Sequence, residues 1–278
     1  MPELPELQAH AERLQDEFGG ATLAGFRSLS FTALKTAVTD PATAVGHALG
    51  PVGRRGKYLT LACGPVTFVV HLMQGGRLKP DEKQSAKPRG GIARWTFEDG
   101  RALLLTEPGS ERKAGVWVVS GDLETQEPIL GLGPDADQID GPMLRRLLGE
   151  HSMRLHGFLR DQRIVAGVGR RLANEICHRA RLSPFAGTAK LDAEETERLL
   201  AAIQGCLSES LAEDRGRDDM SSSKERSGAV HHRAGEPCPV CGDTVRAVEY
   251  RSYTVAYCPT CQTGGKVLAD NTTSKFLK

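Results

Sequence analysis

Cys238-Pro239-Val240-Cys241, then sixteen residues, then Cys258-Pro259-Thr260-Cys261: this stretch decides how the C-terminal part of the chain folds. Each Cys-x-x-Cys turn places two thiolates on one side of a tight loop. Two such loops at the ends of a hairpin complete a tetrahedral Zn²⁺ site. Four thiolates close the coordination sphere, so the one Zn²⁺ per chain expected here holds structure and does no catalysis. Two disulfides are the alternative reading of the same four residues. His231 and His232 are near enough in sequence to compete as ligands, while Cys63, Cys177 and Cys206 are scattered.

Working outward, 278 residues allow one large domain or two ordinary ones. With 39% hydrophobic and 26% charged residues the chain can bury a core, and its 31 glycines and 15 prolines point to many turns and a β-rich part. The net charge of +1 excludes a chain-wide basic coat. It does not exclude a nucleic-acid partner, because the distribution of charge is what matters. The start, Met1-Pro2-Glu3-Leu4-Pro5-Glu6, has early acids and no basic segment followed by an apolar one, unlike a signal peptide. The run Val66 to Leu72, interrupted by Thr67 and His71, is too short to span a bilayer. The expectation is a soluble protein of a reducing, cytoplasmic compartment, with no membrane partner.

Leu7, Ala11, Leu14 and Phe18 recur at helical spacing, and Gly19-Gly20 ends the run, which predicts a helix over 5–18. From 22 to 120 the pattern becomes short β-like runs: Tyr58–Leu61, Val66–Leu72, Ala93–Phe97, Leu103–Thr106 and Val116–Val119. Glu98-Asp99-Gly100 is a hairpin turn between two of them. Such spacing suggests a sandwich or barrel. Residues 79–91 read as a polar loop with no apolar anchor. A Gly/Pro/Asp-rich linker covers 121–141, dividing a domain over 1–120 from a helical one over 142–228. Helices are expected over Met143–Leu148, Met153–Leu159, Arg170–Arg179 and 192–212, the last capped by Asp192. Residues 214–228 read as a mobile connector, and 229–278 as the zinc hairpin.

Charge alternates along this second half. Residues 151–185 hold seven arginines against Asp161 and Glu175, residues 186–219 are net −5, and residues 224–278 are net +3. Gly167-Val168-Gly169-Arg170-Arg171 enters a helix, where a phosphate can approach free backbone N–H groups and two arginines add charge-assisted bonds. A plain loop is the competing reading. With Arg154, Arg160 and Arg163 ahead of it, the unit looks like a helix–turn–helix with a basic rim, able to clamp a duplex backbone.

Two further stretches carry chemistry. Pro2 follows Met1, and a small second residue lets the initiator methionine be removed. A free N-terminal proline is a secondary amine, and α-amino groups titrate near ~7.7–8.0, so a neutral nucleophilic fraction exists at neutral pH. Such an amine can attack a sugar aldehyde carbon and form an iminium, with Glu3 and Glu6 in reach to move protons. The same residues also fit an ordinary helix start. Arg54-Arg55-Gly56-Lys57-Tyr58 is a basic turn, either a phosphate contact or a solvated hairpin tip.

Taken together, these features resemble the formamidopyrimidine-DNA glycosylase / endonuclease VIII family of base-excision repair enzymes, nearly end to end. The shared residues are Pro2-Glu3-Leu4-Pro5-Glu6, Arg55-Gly56-Lys57-Tyr58, His71-Leu72 with Gly76, Leu159 through Gly169 with Ala173 and Glu175, Gly235 through Cys241, and Tyr257 through Gln262. The resemblance implies an α+β chain of two domains: a helix and β-sandwich, then a helical domain with a helix–two-turn–helix and a zinc-ribbon β-hairpin. Damaged double-stranded DNA would lie in the cleft between them, and the chain would act as a monomer, associated with the bacterial nucleoid. Pro2 would attack C1′ of a flipped nucleotide, Glu3 would protonate the sugar ring oxygen, Lys57 would contact a phosphate, and Glu6 would support proton transfer or position the helix. Strand cleavage would follow by β-elimination and then δ-elimination.

His71 and Arg171 are expected to contact DNA, and the departures from the family fall on further DNA-reading positions and not on catalytic ones. Gln74 stands where purine-specific members place methionine. Glu107 through Gly115, with Arg112, replaces the family's strand-separating loop. Arg170 replaces an asparagine, and Tyr253 an arginine, for which Arg251 is a possible substitute two residues away. These changes turn the expected lesion away from 8-oxoguanine, toward oxidised pyrimidines, ring-opened purines or abasic sites. The other readings are an abasic-site lyase or a damaged-DNA-binding paralogue, and a zinc-ribbon nucleic-acid binder with an unrelated N-terminal domain. Residues 214–228, with Ser221-Ser222-Ser223-Lys224, occupy the place of a lesion lid in some members.

Overall fold

The computed structural model describes residues 1–36, 38–109, 112–220, 226–251 and 253–268. The chain divides into two compact units, one of Met1–Gly131 with Asp214–Met220 and one of Leu132–Glu213 with Ser221–Lys278.

In the first unit α1 (Leu4–Phe18) precedes two four-stranded antiparallel sheets. One sheet runs in the order β1 (Leu23–Ser28), β6 (Gly91–Phe97), β7 (Ala102–Thr106), β5 (Arg77–Pro80). The other runs β2 (Leu49–Arg55), β3 (Tyr58–Cys63), β4 (Val66–His71), β8 (Gly115–Ser120). The architecture is therefore a β-sandwich, and α1 buries Leu7, Ala11, Leu14 and Phe18 in the same core as Leu59, Leu61, Phe68, Val70, Trp95, Leu103 and Leu105. The five strands read from the sequence form within a residue or two. β1, β2 and β5 were not legible: β2 carries Gly50, Pro51 and Gly53 and slips register between Leu49 and Val52, and β5 ends on Pro80.

Loop 79–91 has an anchor, though an ionic one. Asp81 and Arg94 are both buried and paired at 2.7 Å, and Arg94 also donates to the Ser85 carbonyl at 2.7 Å. Residues 214–220 are likewise held. Arg13 Nη1 donates to the carbonyls of Asp214 and Arg217, Arg215 pairs with Glu12 at 2.7 Å, and Met220 enters the core. Ser221 to Lys224 of the expected lid lie outside the described residues.

The second unit carries α2 (Gly141–Glu150), α3 (Leu155–Arg160), α4 (Arg170–Arg179) and α5 (Ala193–Arg215), then the hairpin β9 (Arg246–Glu249) and β10 (Thr254–Tyr257) and the short α6 (Pro259–Thr263). Asp192 caps α5 as expected. Its carboxylate accepts the Glu195 N–H at 2.7 Å while Glu195 accepts the Asp192 N–H at 3.1 Å, a reciprocal pair that satisfies two first-turn donors.

Candidate active site and zinc centre

The start of α1 assembles the first cluster. Glu3 is the N-cap and Glu6 is the third helical residue. Each side chain accepts the other's backbone N–H, so the two carboxylates are fixed against each other and almost fully buried. The Met1 amine, one residue before Pro2, lies in their field. Burial holds it below the usual α-amino value, Glu6 and Glu3 oppose that, and the positive charges of Lys57 and Arg77 add to it. A lowered amine is more often neutral and nucleophilic near pH 7.

Lys57 reaches this neighbourhood because Arg55 and Tyr58 pair across a two-residue turn in which Gly56 takes φ +55. His71 ends β4 and packs edge-on against Tyr58 at 4.8 Å. Its Nδ1 accepts the Met73 N–H at 3.0 Å, which assigns the ring proton to Nε2. Burial, then Lys57 and the terminal amine, push its pKa down to about 4, so it is a neutral hydrogen-bonding ring. The Met1 amine, Glu3, Glu6, Lys57 and His71 thus act on one another, and Pro2 lies in sequence between that amine and Glu3. Arg77 was not singled out from the sequence, since nothing in its local pattern marks it.

Gln74 and Arg112 are exposed on loops of the same unit. The loop bearing Arg112 is closed by buried Glu107, whose carboxylate accepts the Ala114 N–H at 2.7 Å.

In the second unit, Gln162 organises the turns between α3 and α4. Its Nε2 donates to the carbonyls of Arg160 and Val168, each at 2.8 Å, and its Oε1 accepts the Gly167 N–H at 3.0 Å. Gly167 takes φ +93, a conformation that favours glycine. Arg170 opens α4 and is exposed. Arg171 does not share that position. Helical phase turns it inward, where it is 5% exposed and donates to Ser210 Oγ at 3.1 Å, so it braces α4 on α5 and presents no solvent-facing cation. Arg251 is exposed and Tyr253 half-buried at the turn of the β9–β10 hairpin.

The four sulfurs of Cys238, Cys241, Cys258 and Cys261 lie within 4.8 Å of one another. Cys238 and Cys261 are 3.9 Å apart, and Cys241 and Cys258 3.4 Å. A tetrahedron of Zn–S bonds near ~2.3 Å demands sulfur separations of about 3.8 Å, so the set fits one Zn²⁺. Asp243 ties the two knuckles together by accepting from the N–H and hydroxyl of Thr260. Gln262 accepts the Cys258 N–H at 2.8 Å and donates to the Leu182 carbonyl at 2.9 Å, anchoring the centre to the helical part. His231 and His232 are not in the sulfur cluster, and His231 Nδ1 instead meets Asn174 at 2.9 Å.

Three family descriptions cover these parts in order: the formamidopyrimidine-DNA glycosylase N-terminal domain over 1–117, the H2TH domain of that enzyme over 130–222, and the zinc finger found in FPG and IleRS over 235–264. The chain is 33% identical to the formamidopyrimidine-DNA glycosylase of Thermus thermophilus, spanning 95% of this chain and 100% of that one. The solved MutM (Fpg) structure from the same organism superposes with a TM-score of 0.81 at 30% identity, covering 96% of this chain and 100% of the other. An uncharacterized formamidopyrimidine-DNA glycosylase-like protein of Mycobacterium tuberculosis is 43% identical over 149 residues, 53% of this chain and 94% of that protein.

The chain belongs to the formamidopyrimidine-DNA glycosylase family. It is a DNA-repair glycosylase with a structural zinc finger.

Proposed function

We propose that the chain excises a damaged base from duplex DNA through its N-terminal proline and then cleaves the strand as a lyase. The observation that carries this reading is the shared field at the start of α1, where the Met1 amine, Glu3, Glu6 and Lys57 act on one another and Pro2 is the next residue along the chain. With Met1 removed, the Pro2 nitrogen attacks C1′ of the everted nucleotide. The glycosidic C1′–N bond breaks and the base leaves with the proton given up by the attacking amine. Glu3 gives a proton to the ring oxygen, and the C1′–O4′ bond opens to leave C1′ doubly bonded to the Pro2 nitrogen. The resulting iminium makes the adjacent C2′–H acidic, and loss of that proton expels the 3′ phosphate by β-elimination. A second elimination at the 5′ side follows. Lys57 supplies a cation to a phosphate beside the lesion, and His71, being neutral, orders that neighbourhood without adding charge. The zinc takes no part in these steps and holds the hairpin that presents Arg251 and Tyr253.

For the lesion, Gln74 in place of methionine favours oxidised pyrimidines, ring-opened purines or abasic sites over 8-oxoguanine. The neighbouring Met73 is half-buried with φ +50, whereas Gln74 is exposed.

Borohydride reduction in the presence of an abasic-site duplex tests the reading. A covalent adduct that maps by mass spectrometry to a peptide starting at Pro2 is the expected result. A mature chain beginning at Pro2 that yields no adduct overturns it. A lesion panel then ranks the substrates.

A further inference from the structure

Tyr253 is the centre of a group built from three separate elements of the second unit. The Arg160 guanidinium, at the end of α3, lies 4.2 Å from the Tyr253 ring centroid. That of Arg170, at the start of α4, lies 5.9 Å from it. Tyr250 stacks on Tyr253 with centroids 4.6 Å apart and planes 9° from parallel, and its N–H donates to the Tyr253 carbonyl at 2.9 Å. His156 runs parallel to Tyr253 at 6.0 Å and is buried.

Two guanidinium groups held near one point repel, and some feature must offset that repulsion. Carboxylates do not: among the described residues neither Arg160 nor Arg170 has an acidic partner, whereas Arg163 in the same connection is paired with Asp161 at 2.7 Å. The electron-rich face of Tyr253 does, since an aromatic ring attracts cations placed within about 6 Å of its centroid. Arginine suits this arrangement because its planar group stacks by its face while its edge N–H groups still donate. Gln162 fixes both ends, holding the Arg160 carbonyl and the Val168 carbonyl two residues before Arg170.

We propose that Tyr253 is a positioning residue that gathers Arg160 and Arg170 from two helices into one pair of cations for the phosphate backbone of duplex DNA. The pair rests on the DNA-repair reading above. The tyrosine brings no charge of its own. It lowers the cost of holding two arginines together and orders them before DNA arrives.

The test is equilibrium binding to a duplex carrying a tetrahydrofuran abasic analogue, measured over a salt series with zinc content checked for every variant. Tyr253→Phe keeps the ring and should bind within twofold of the wild type. Tyr253→Ala should weaken binding at low salt by about 5–20-fold, and the slope of log K against log salt should become shallower by about 1, the signature of one lost phosphate contact. Tyr253→Arg puts a third cation beside the other two and should also bind more weakly. Tyr253→Leu keeps apolar bulk and should behave as Tyr253→Ala, so it carries the comparison if the alanine variant loses zinc. An unchanged slope, Tyr253→Ala binding within twofold, or Tyr253→Arg binding as tightly as the wild type overturns the proposal. The borohydride adduct at Pro2 is read separately: its absence defeats the excision mechanism and leaves the salt slopes to judge the clamp.

Discussion

His178 Nε2, on α4, lies 3.3 Å from the Sγ of Cys238. The helix that opens with Arg170 therefore ends against a zinc ligand, and both features depend on the same ten residues. A ring N–H pointing at a thiolate stabilises its negative charge and fixes its orientation on the metal. Removing such an outer partner commonly costs about 10–100-fold in metal affinity. His178→Ala should therefore weaken zinc binding by that order in competition against a chromophoric chelator, with the fold intact when zinc is in excess. Equal affinity would make the contact incidental.

Variants of Glu6 separate the two roles the sequence left open, supporting proton carrier and helix-positioning residue. As half of the reciprocal cap with Glu3, Glu6 satisfies a backbone N–H that would otherwise be buried without a partner. Glu6→Ala should lower stability by about 1 kcal/mol in denaturant unfolding, the usual scale for a lost cap. Glu6→Gln keeps an acceptor at the same place and should preserve both stability and the yield of trapped adduct. A glutamine variant that is fully stable yet traps no adduct would show that Glu6 moves a proton.

The parts of the molecule written in local sequence were legible, and the parts written in long-range contacts were not. The α1 stripe, the Asp192 cap, the Glu98–Gly100 turn and the cysteine spacing each need only a few neighbouring residues, and each appears as read. The Asp81–Arg94 pair joins residues in different elements. The hold of Arg13 on residues 214 and 217 spans two hundred positions. No pattern marks either. Arg170 and Arg171 are identical neighbours in the sequence, and only the phase of α4 against α5 turns one outward and the other onto Ser210. Tyr253 looked like a lost arginine because a sequence shows which charge is missing at a position. It does not show that Arg160 and Arg170 converge on that ring.

Acid should destabilise the first unit through two histidines. His10 is buried on α1, with Nε2 donating to the Leu78 carbonyl at 2.7 Å, and burial pushes its pKa down to about 4. His71 is pushed to about 4 chiefly by burial as well. In the unfolded chain both titrate near the ordinary 6.5. Between pH 4 and 6.5 the unfolded state therefore binds more protons than the folded one, and stability rises with pH across that window. It is complete above about 6.5 and is lost as pH falls toward 4. At about 1.4 kcal/mol per pH unit, each residue contributes at most about 3.5 kcal/mol over the whole range. Thermal unfolding at pH 7.5, 6, 5 and 4.5 should show Tm falling with each step. His10→Gln keeps a donor for Leu78 but cannot be protonated, so its Tm should fall less steeply over the same steps. A His10→Gln chain with the wild-type pH dependence would mean that His10 is not the group being charged.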